Sequence, residues 1–190
     1  AQAGGGGGIG GGGLHAAAPR VALRECVDLF SAQEDLGGDD AWYCPRCKTH
    51  RCGTKRLQTW SLPDVLVLQL KRFEVRGGLR RKLAGAVDCP IEGLDLSEFC
   101  LSPDPDGSLY DLQAVSNHYG SAHGGHYTAC SRVGGDWYEC DDQHVRRVTA
   151  ESVVTPAAYV LIYARRRPNT KDAPKLTMGS DTKALTTAWL

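Results

Sequence analysis

Three observations predict a strand-dominated α+β fold. Short apolar runs recur at 65–73, about 110–118, 126–132, 137–140 and 158–165, separated by Gly, Asn or Pro. The stretch Leu62-Pro63-Asp64 punctuates the chain before Val65 to Phe73, a run apolar enough for a strand buried on both faces. Gly134-Gly135 joins two of the runs, which is a common signal for a two-residue hairpin turn. The expected sheet is therefore antiparallel.

Each segment has its own reason. Residues 1–20 form a Gly-rich segment, glycine-dominated over 1–13, that cannot bury a core and is expected to be disordered. Residues 21–36 mix Val21, Leu23, Val27, Leu29 and Phe30 with charges, and Cys26 to Phe30 followed by Ser31 suggests a strand or the start of a short helix. A cysteine-rich knuckle spans 44–52, Gly77-Gly78 reads as a turn, and Asp88-Cys89-Pro90 to Phe99 reads as a loop with a short helical turn. After Arg165-Arg166-Arg167-Pro168 the chain becomes polar and aperiodic, so 167–190 is expected to be a disordered tail and 21–166 the folded domain. No internal repeat is visible.

With 190 residues the chain is long enough for one domain with a real core. Lys+Arg and Asp+Glu balance at 22 each, so no global field points to nucleic acid or an anionic membrane. Val65-Leu66-Val67-Leu68 is too short to span a bilayer, and the start of the chain lacks the charged-then-apolar pattern of a signal peptide. The 8 cysteines are too few for a disulfide scaffold and are scattered apart from one tight pair. That usage suits reduced intracellular thiols, with a cytoplasmic or nuclear location.

The most informative stretch is Gly124-Gly125-His126-Tyr127-Thr128-Ala129, followed by Trp137-Tyr138-Glu139-Cys140-Asp141-Asp142. With a two-residue turn at Gly134-Gly135, Val133 faces Asp136 and Thr128 faces Asp141. Side chains alternate with a period of two, so His126, Thr128 and Asp141 share one face and Asp142 points to the other. An odd-length loop would shift the register and select Asp142 instead. Either way the pattern supplies a histidine base and a carboxylate to orient it. Cys130, the candidate sulfur nearest in sequence, lies four strand residues from His126, about 13 Å away at ~3.3 Å each. Attack needs hydrogen-bond reach of roughly 3 Å.

Cys44-Pro45-Arg46-Cys47 is half of a zinc knuckle, since a structural site wants four ligands and no second CxxC is present. His50 and Cys52 are near enough in sequence to complete a local site of three cysteines and one histidine; two free thiols without metal is the alternative. The basic residues Arg46, Lys48, Arg51, Lys55 and Arg56 flank the pair, but without interleaved aromatics or net positive charge they do not make a nucleic-acid ribbon. Cys26, Cys89, Cys100 and Cys140 read as small buried hydrophobes.

Taken in order, Cys26–Phe30, Trp42–His50, Leu62–Phe73, Tyr110–Gly120, Gly125–Ala129 and Ala158–Leu161 resemble the C-terminal half of a ubiquitin-specific protease catalytic domain, from about residue 26 to 166. The likeness is greatest to large multidomain members with a long insertion inside the catalytic domain. It implies a papain-like architecture of fingers, palm and thumb, with this chain supplying the antiparallel palm and partial zinc-ribbon fingers and lacking the thumb. By position, His126 resembles the general base, Asp141 the triad residue that orients it, and Asp142 the adjacent acid to which some members assign a part. Cys44 and Cys47 resemble the second pair of the zinc-binding fingers, giving an incomplete structural zinc site and no cofactor for catalysis.

The implied reaction is thiol-dependent hydrolysis of the isopeptide bond at the C-terminal glycine of ubiquitin, with ubiquitin and ubiquitinated proteins as partners and neither nucleic acid nor membrane. The glycines before His126 would let the narrow Gly-Gly tail of the substrate approach closely. The family's nucleophile sits in a Cys box preceded by an asparagine, and neither Asn117 nor Asn169 lies a few residues before a cysteine. The chain therefore reads as a fragment, inactive alone. Two alternatives are a non-catalytic ubiquitin-binding module and a zinc-ribbon interaction module.

Overall fold

The computed structural model describes residues 20–102, 107–166 and 186–189. The glycine-dominated 1–13 stretch and most of the tail lie outside the described residues. The chain order is β1 (Arg20–Ala22), α1 (Leu23–Ser31), β2 (Glu34–Leu36), β3 (Trp42–Cys44), β4 (Thr49–Arg51), β5 (Gly53–Lys55), β6 (Val65–Gln69), β7 (Phe73–Arg76) and β8 (Leu79–Lys82). Then follow β9 (Ala86–Asp88), β10 (Leu94–Asp95), β11 (Leu109–Ser121), β12 (Gly124–Val133), β13 (Asp136–Asp141), β14 (His144–Val148), β15 (Ala158–Arg165) and β16 (Thr186–Trp189).

One large sheet dominates, ordered β14-β13-β12-β11-β15-β6-β16, with β10 pairing β11 at one side. Every pairing in it is antiparallel except β6 with β16. Four small pairs surround it: β1 with β9 in parallel, and the antiparallel β2–β5, β3–β4 and β7–β8. The strand-dominated antiparallel reading is met, with α1 as the one α-helix among the described residues.

The core lies on the β11, β15 and β6 strands. Tyr110, Leu112, Val115, Leu161 and Tyr163 are fully buried there, and Leu66 and Leu68 nearly so. The two buried tyrosines keep their hydroxyls partnered: Tyr110 donates to the Pro63 carbonyl and Tyr163 to that of Pro90. Over the ambiguous 21–36 stretch, the structure forms a helix from Leu23 to Ser31. Leu23 and Val27, spaced i, i+4, face the core, and the Glu25 carboxylate accepts the Ala22 backbone N–H at 3.1 Å.

The apolar run 65–73 is not one strand. It breaks after Gln69, because Arg72 turns inward and donates Nε to the Ala158 carbonyl at 3.0 Å and Nη1 to that of Gly85. A buried guanidinium finds partners only where strand carbonyls are free, and that demand bends the chain before β7. Gly77 and Gly78, both with positive φ, then close the β7–β8 hairpin as expected. Two elements go beyond the sequence expectation. β14 adds an outer strand beyond β13, and β16 places part of the tail alongside β6. No helix among the described residues is long and apolar enough to cross a membrane.

Candidate active site

The β12–β13 hairpin has the register that its turn dictates. Gly134 and Gly135 take φ of 60° and 95°, and the ladder runs from Val133 opposite Asp136 to Ala129 opposite Cys140. The hairpin is anchored from beneath, where Trp137, Cys130 and Thr128 are buried, while its far end reaches solvent. Buried Asn117 donates Nδ2 to Thr128 Oγ1 at 3.4 Å and ties that end of β12 to β11. One step past the last ladder pair, His126 and Asp141 project to the same side. His126 Nε2 lies 2.5 Å from Asp141 Oδ1, with both side chains about half exposed.

The contact determines the state of the ring. Its hydrogen bond to Asp141 is the main cause of a raised His126 pKa; desolvation opposes the shift, and the charges of Asp141 and Asp142 add to it. With Nε2 held by the carboxylate, Nδ1 is the nitrogen left to exchange a proton with a reacting group.

Asp142 departs from the strict alternation that places it on the opposite face. It is the first residue of the two-residue turn into β14, and its φ of 49° is left-handed. Strand alternation stops at the turn. The carboxylate curls back, so that donor atoms of His126, Asp141 and Asp142 all lie within 4.8 Å of one another. Aspartate tolerates this conformation better than most side chains, at some cost in strain. The trio has the composition of a metal site, but two donors on one zinc ion lie roughly 3.4 Å apart at ordinary bond lengths and tetrahedral angles. The 2.5 Å separation is that of a hydrogen bond.

A cleft of about 550 Å³ opens beside the base, lined by Phe73, Val75, Arg80, His118, Gly124 and Tyr127 among others. It runs between the β7–β8 hairpin and the β11–β12 turn. The two glycines before His126 have different jobs. A Cβ on Gly124 would meet nothing within 4 Å, whereas one on Gly125 would lie 2.1 Å from the Tyr119 carbonyl oxygen and 2.4 Å from His118 Nε2. Only Gly124 is open to an incoming chain; Gly125 is required by the neighbouring strand.

His118 is a residue that the sequence does not mark as a site component. Its ring is buried between Phe73, Tyr127 and Tyr159, with centroids 5.6, 4.8 and 5.8 Å away. Burial, and then the Lys82 ammonium that donates to its backbone carbonyl, push its pKa down. Its contacts come from β7, β12 and β15, so no periodicity announces them.

Cys44 and Cys47 stand together at the tip of the β3–β4 hairpin, away from this cleft. The Cys47 backbone N–H donates to Cys44 Sγ at 3.4 Å, and that hydrogen bond is the main cause of a lowered Cys44 pKa. Lys48 takes a φ of 54° to close the turn. His50 and Cys52 do not join them. His50 Nδ1 sits 2.9 Å from the Ala41 carbonyl, with its ring edge-on to Tyr43, and Cys52 lies beside Gly37 on the β2–β5 side. Among the described residues, no group of three ligand-type side chains includes either knuckle cysteine. Of the remaining thiols, Cys130 and Cys89 are buried, with burial raising both pKa values, that of Cys89 to about 12. Cys26, Cys100 and Cys140 are only half-buried.

Comparison with known proteins identifies the frame. A family model described as "Ubiquitin carboxyl-terminal hydrolase" matches residues 40–163. Ubiquitin carboxyl-terminal hydrolase 15 of Homo sapiens is 49% identical over 150 residues, covering 78% of this chain and 15% of that protein. Ubiquitin carboxyl-terminal hydrolase 4 of Bos taurus is 46% identical over 159 residues, covering 83% and 16% respectively. The chain thus spans about a sixth of the length of the curated relatives it matches. A solved structure of the SAGA Ubp8/Sgf11/Sus1/Sgf73 DUB module bound to ubiquitin aldehyde superimposes with a TM-score of 0.64 at 34% identity, over 78% of this chain and 34% of that one. A structure of the module bound to monoubiquitin gives 0.65 at 36% identity, with the same coverage. On the strength of these matches, and of a hairpin built as its turn requires, this chain belongs to the ubiquitin carboxyl-terminal hydrolase family.

Proposed function

We propose that this chain is the palm and part of the fingers of a cysteine-type deubiquitinase, and that it supplies the base and the orienting acid for hydrolysis at the C-terminal glycine of ubiquitin. The observation that carries the proposal is the 2.5 Å contact of His126 Nε2 with Asp141, at the edge of a cleft that leaves Nδ1 unengaged. The sulfur comes from polypeptide outside these residues, since the candidate thiols are either buried or remote from the ring.

In the assembled enzyme, His126 Nδ1 takes the proton of that thiol and the sulfur attacks the isopeptide carbonyl carbon. When the intermediate collapses, the C–N bond breaks and the imidazolium returns its proton to the leaving lysine amine. Asp141 holds the ring in the tautomer that frees Nδ1 and stabilises the imidazolium. Asp142 strengthens the same field from the turn. Gly124, open on the cleft side, gives a narrow peptide tail room to pass, and partnership with ubiquitinated proteins follows from this chemistry.

Cys44 and Cys47 are assigned to half of a structural zinc site. Their preorganised sulfurs suit a thiolate-bound cation, and the other ligands come from outside the described residues. Zinc there would fix the hairpin and takes no part in the chemical step. The test is His126→Ala in the full-length enzyme, assayed on a ubiquitin fluorogenic substrate. Turnover is expected to fall by about 10,000-fold or more; hydrolysis at the unsubstituted rate would refute the assignment of the base.

A further inference from the structure

The two outer edges of the large sheet are protected in opposite ways. At one edge, β14 carries Arg146 and Arg147, each ion-paired across to β13, with Glu139 and Asp136 respectively. Charged side chains on an outer strand discourage pairing with another chain. At the other side, β6 reads Val65-Leu66-Val67-Leu68-Gln69, with no charge, no proline and no bulge in its register with β15. Uncovered, it would present a row of free N–H and C=O groups along an apolar strand, which is a ready template for strand addition.

What covers it is the chain itself. Thr186–Trp189 runs parallel to β6, from Thr186 beside Leu66 to Trp189 beside Gln69. Threonine and tryptophan favour strands, but the contact is four residues long, parallel, and has a single neighbour in the sheet. Such an element belongs to the low-stability end of a structure, where local opening is frequent. The 19 residues from 167 to 185 can span up to roughly 60 Å when extended. They need to cross only about two strand spacings, ~10 Å, so the tether neither strains nor enforces the pairing.

We propose that the β6 edge is a strand-docking site, that the chain's own Thr186–Trp189 segment occupies it as a detachable cap, and that an extended, uncharged, β-prone peptide adds there in parallel when the cap leaves. Its position links it to the site. Gln69, opposite Trp189, donates its side-chain amide to the Tyr159 hydroxyl at 2.8 Å, and Tyr159 packs against His118 and Tyr127 beside the cleft.

The test is amide hydrogen exchange on the 190-residue chain and on the same chain ending at Leu185. In the shorter chain, the amides of Val65–Gln69 that face away from β15 should exchange about tenfold faster or more. A synthetic peptide of residues 183–190 should restore their protection. Equal exchange in the two chains overturns the cap, and faster exchange that the peptide does not reverse overturns the docking site. Thr187→Pro and Ala188→Pro, each in the full chain, give an independent check that does not rely on truncation. Neighbouring strand residues point their N–H groups to opposite sides, so one of the two substitutions must strike the ladder. Unchanged β6 exchange in both would also overturn the proposal.

Discussion

The β12–β13 hairpin and the β3–β4 knuckle are both two-stranded turns that carry reactive side chains, yet only the first is complete in itself. The β12–β13 hairpin is rooted in an eight-stranded sheet, with Trp137 and Cys130 buried at its base. Its geometry is held by packing and by a two-residue turn, so His126 and Asp141 meet without outside help. The knuckle strands are three residues each and almost wholly exposed, and they bring together two thiols of the four ligands that a structural zinc needs. Where a sheet supplies burial, register alone builds a site. Where burial is lacking, the metal must do that work.

The largest test of this contrast is Asp141→Asn set beside Asp142→Asn in the full-length enzyme. Asp141 should carry about 1,000- to 10,000-fold in kcat/KM, because losing it frees the ring from its tautomer. Asp142, acting through its charge alone, should cost about tenfold or less. A larger loss at Asp142 would show that the turn residue is the true orienter. In the 190-residue chain, either substitution should lower the His126 pKa, and Asp141→Asn should lower it more, since the hydrogen bond is the leading cause of the upward shift. NMR titration of the ring reads this directly.

Gly125→Ala should destabilise the palm by about 3 kcal/mol, measured by denaturant unfolding, because the methyl group meets backbone at 2.1 Å. Gly124→Ala, with open space around it, should cost well under that. Asp142→Gly should stabilise the fold by about 0.5–1 kcal/mol by relieving its left-handed backbone, while reducing activity. Smallest of all, Cys44→Ser should shift the unfolding of the palm by no more than about 0.5 kcal/mol. The same substitution should remove the zinc bound by the whole enzyme, as metal analysis would show.

Much of the site is legible without coordinates. A glycine pair between two apolar runs implies a two-residue turn, and the period of a strand then carries His126 to the same side as Asp141. The Cys44–Cys47 spacing and the turn at Gly77-Gly78 are equally local and equally readable. Asp142 is misplaced by strict alternation because that rule, carried one residue beyond the strand's end, enters a turn where it no longer applies. β14 escapes notice because its five residues include two arginines, a pattern suited to an outer edge and poor in apolar signal.

The amino-acid order by itself determined the pairing of base and acid, because turn length and side-chain alternation are properties of adjacent residues. Only the folded structure decided which glycine is indispensable, where the apolar run from Val65 breaks, how His118 is walled in, and which segment closes the β6 edge. Each of those depends on groups far apart in the chain competing for the same space or the same hydrogen bonds, and no local pattern encodes the outcome of that competition.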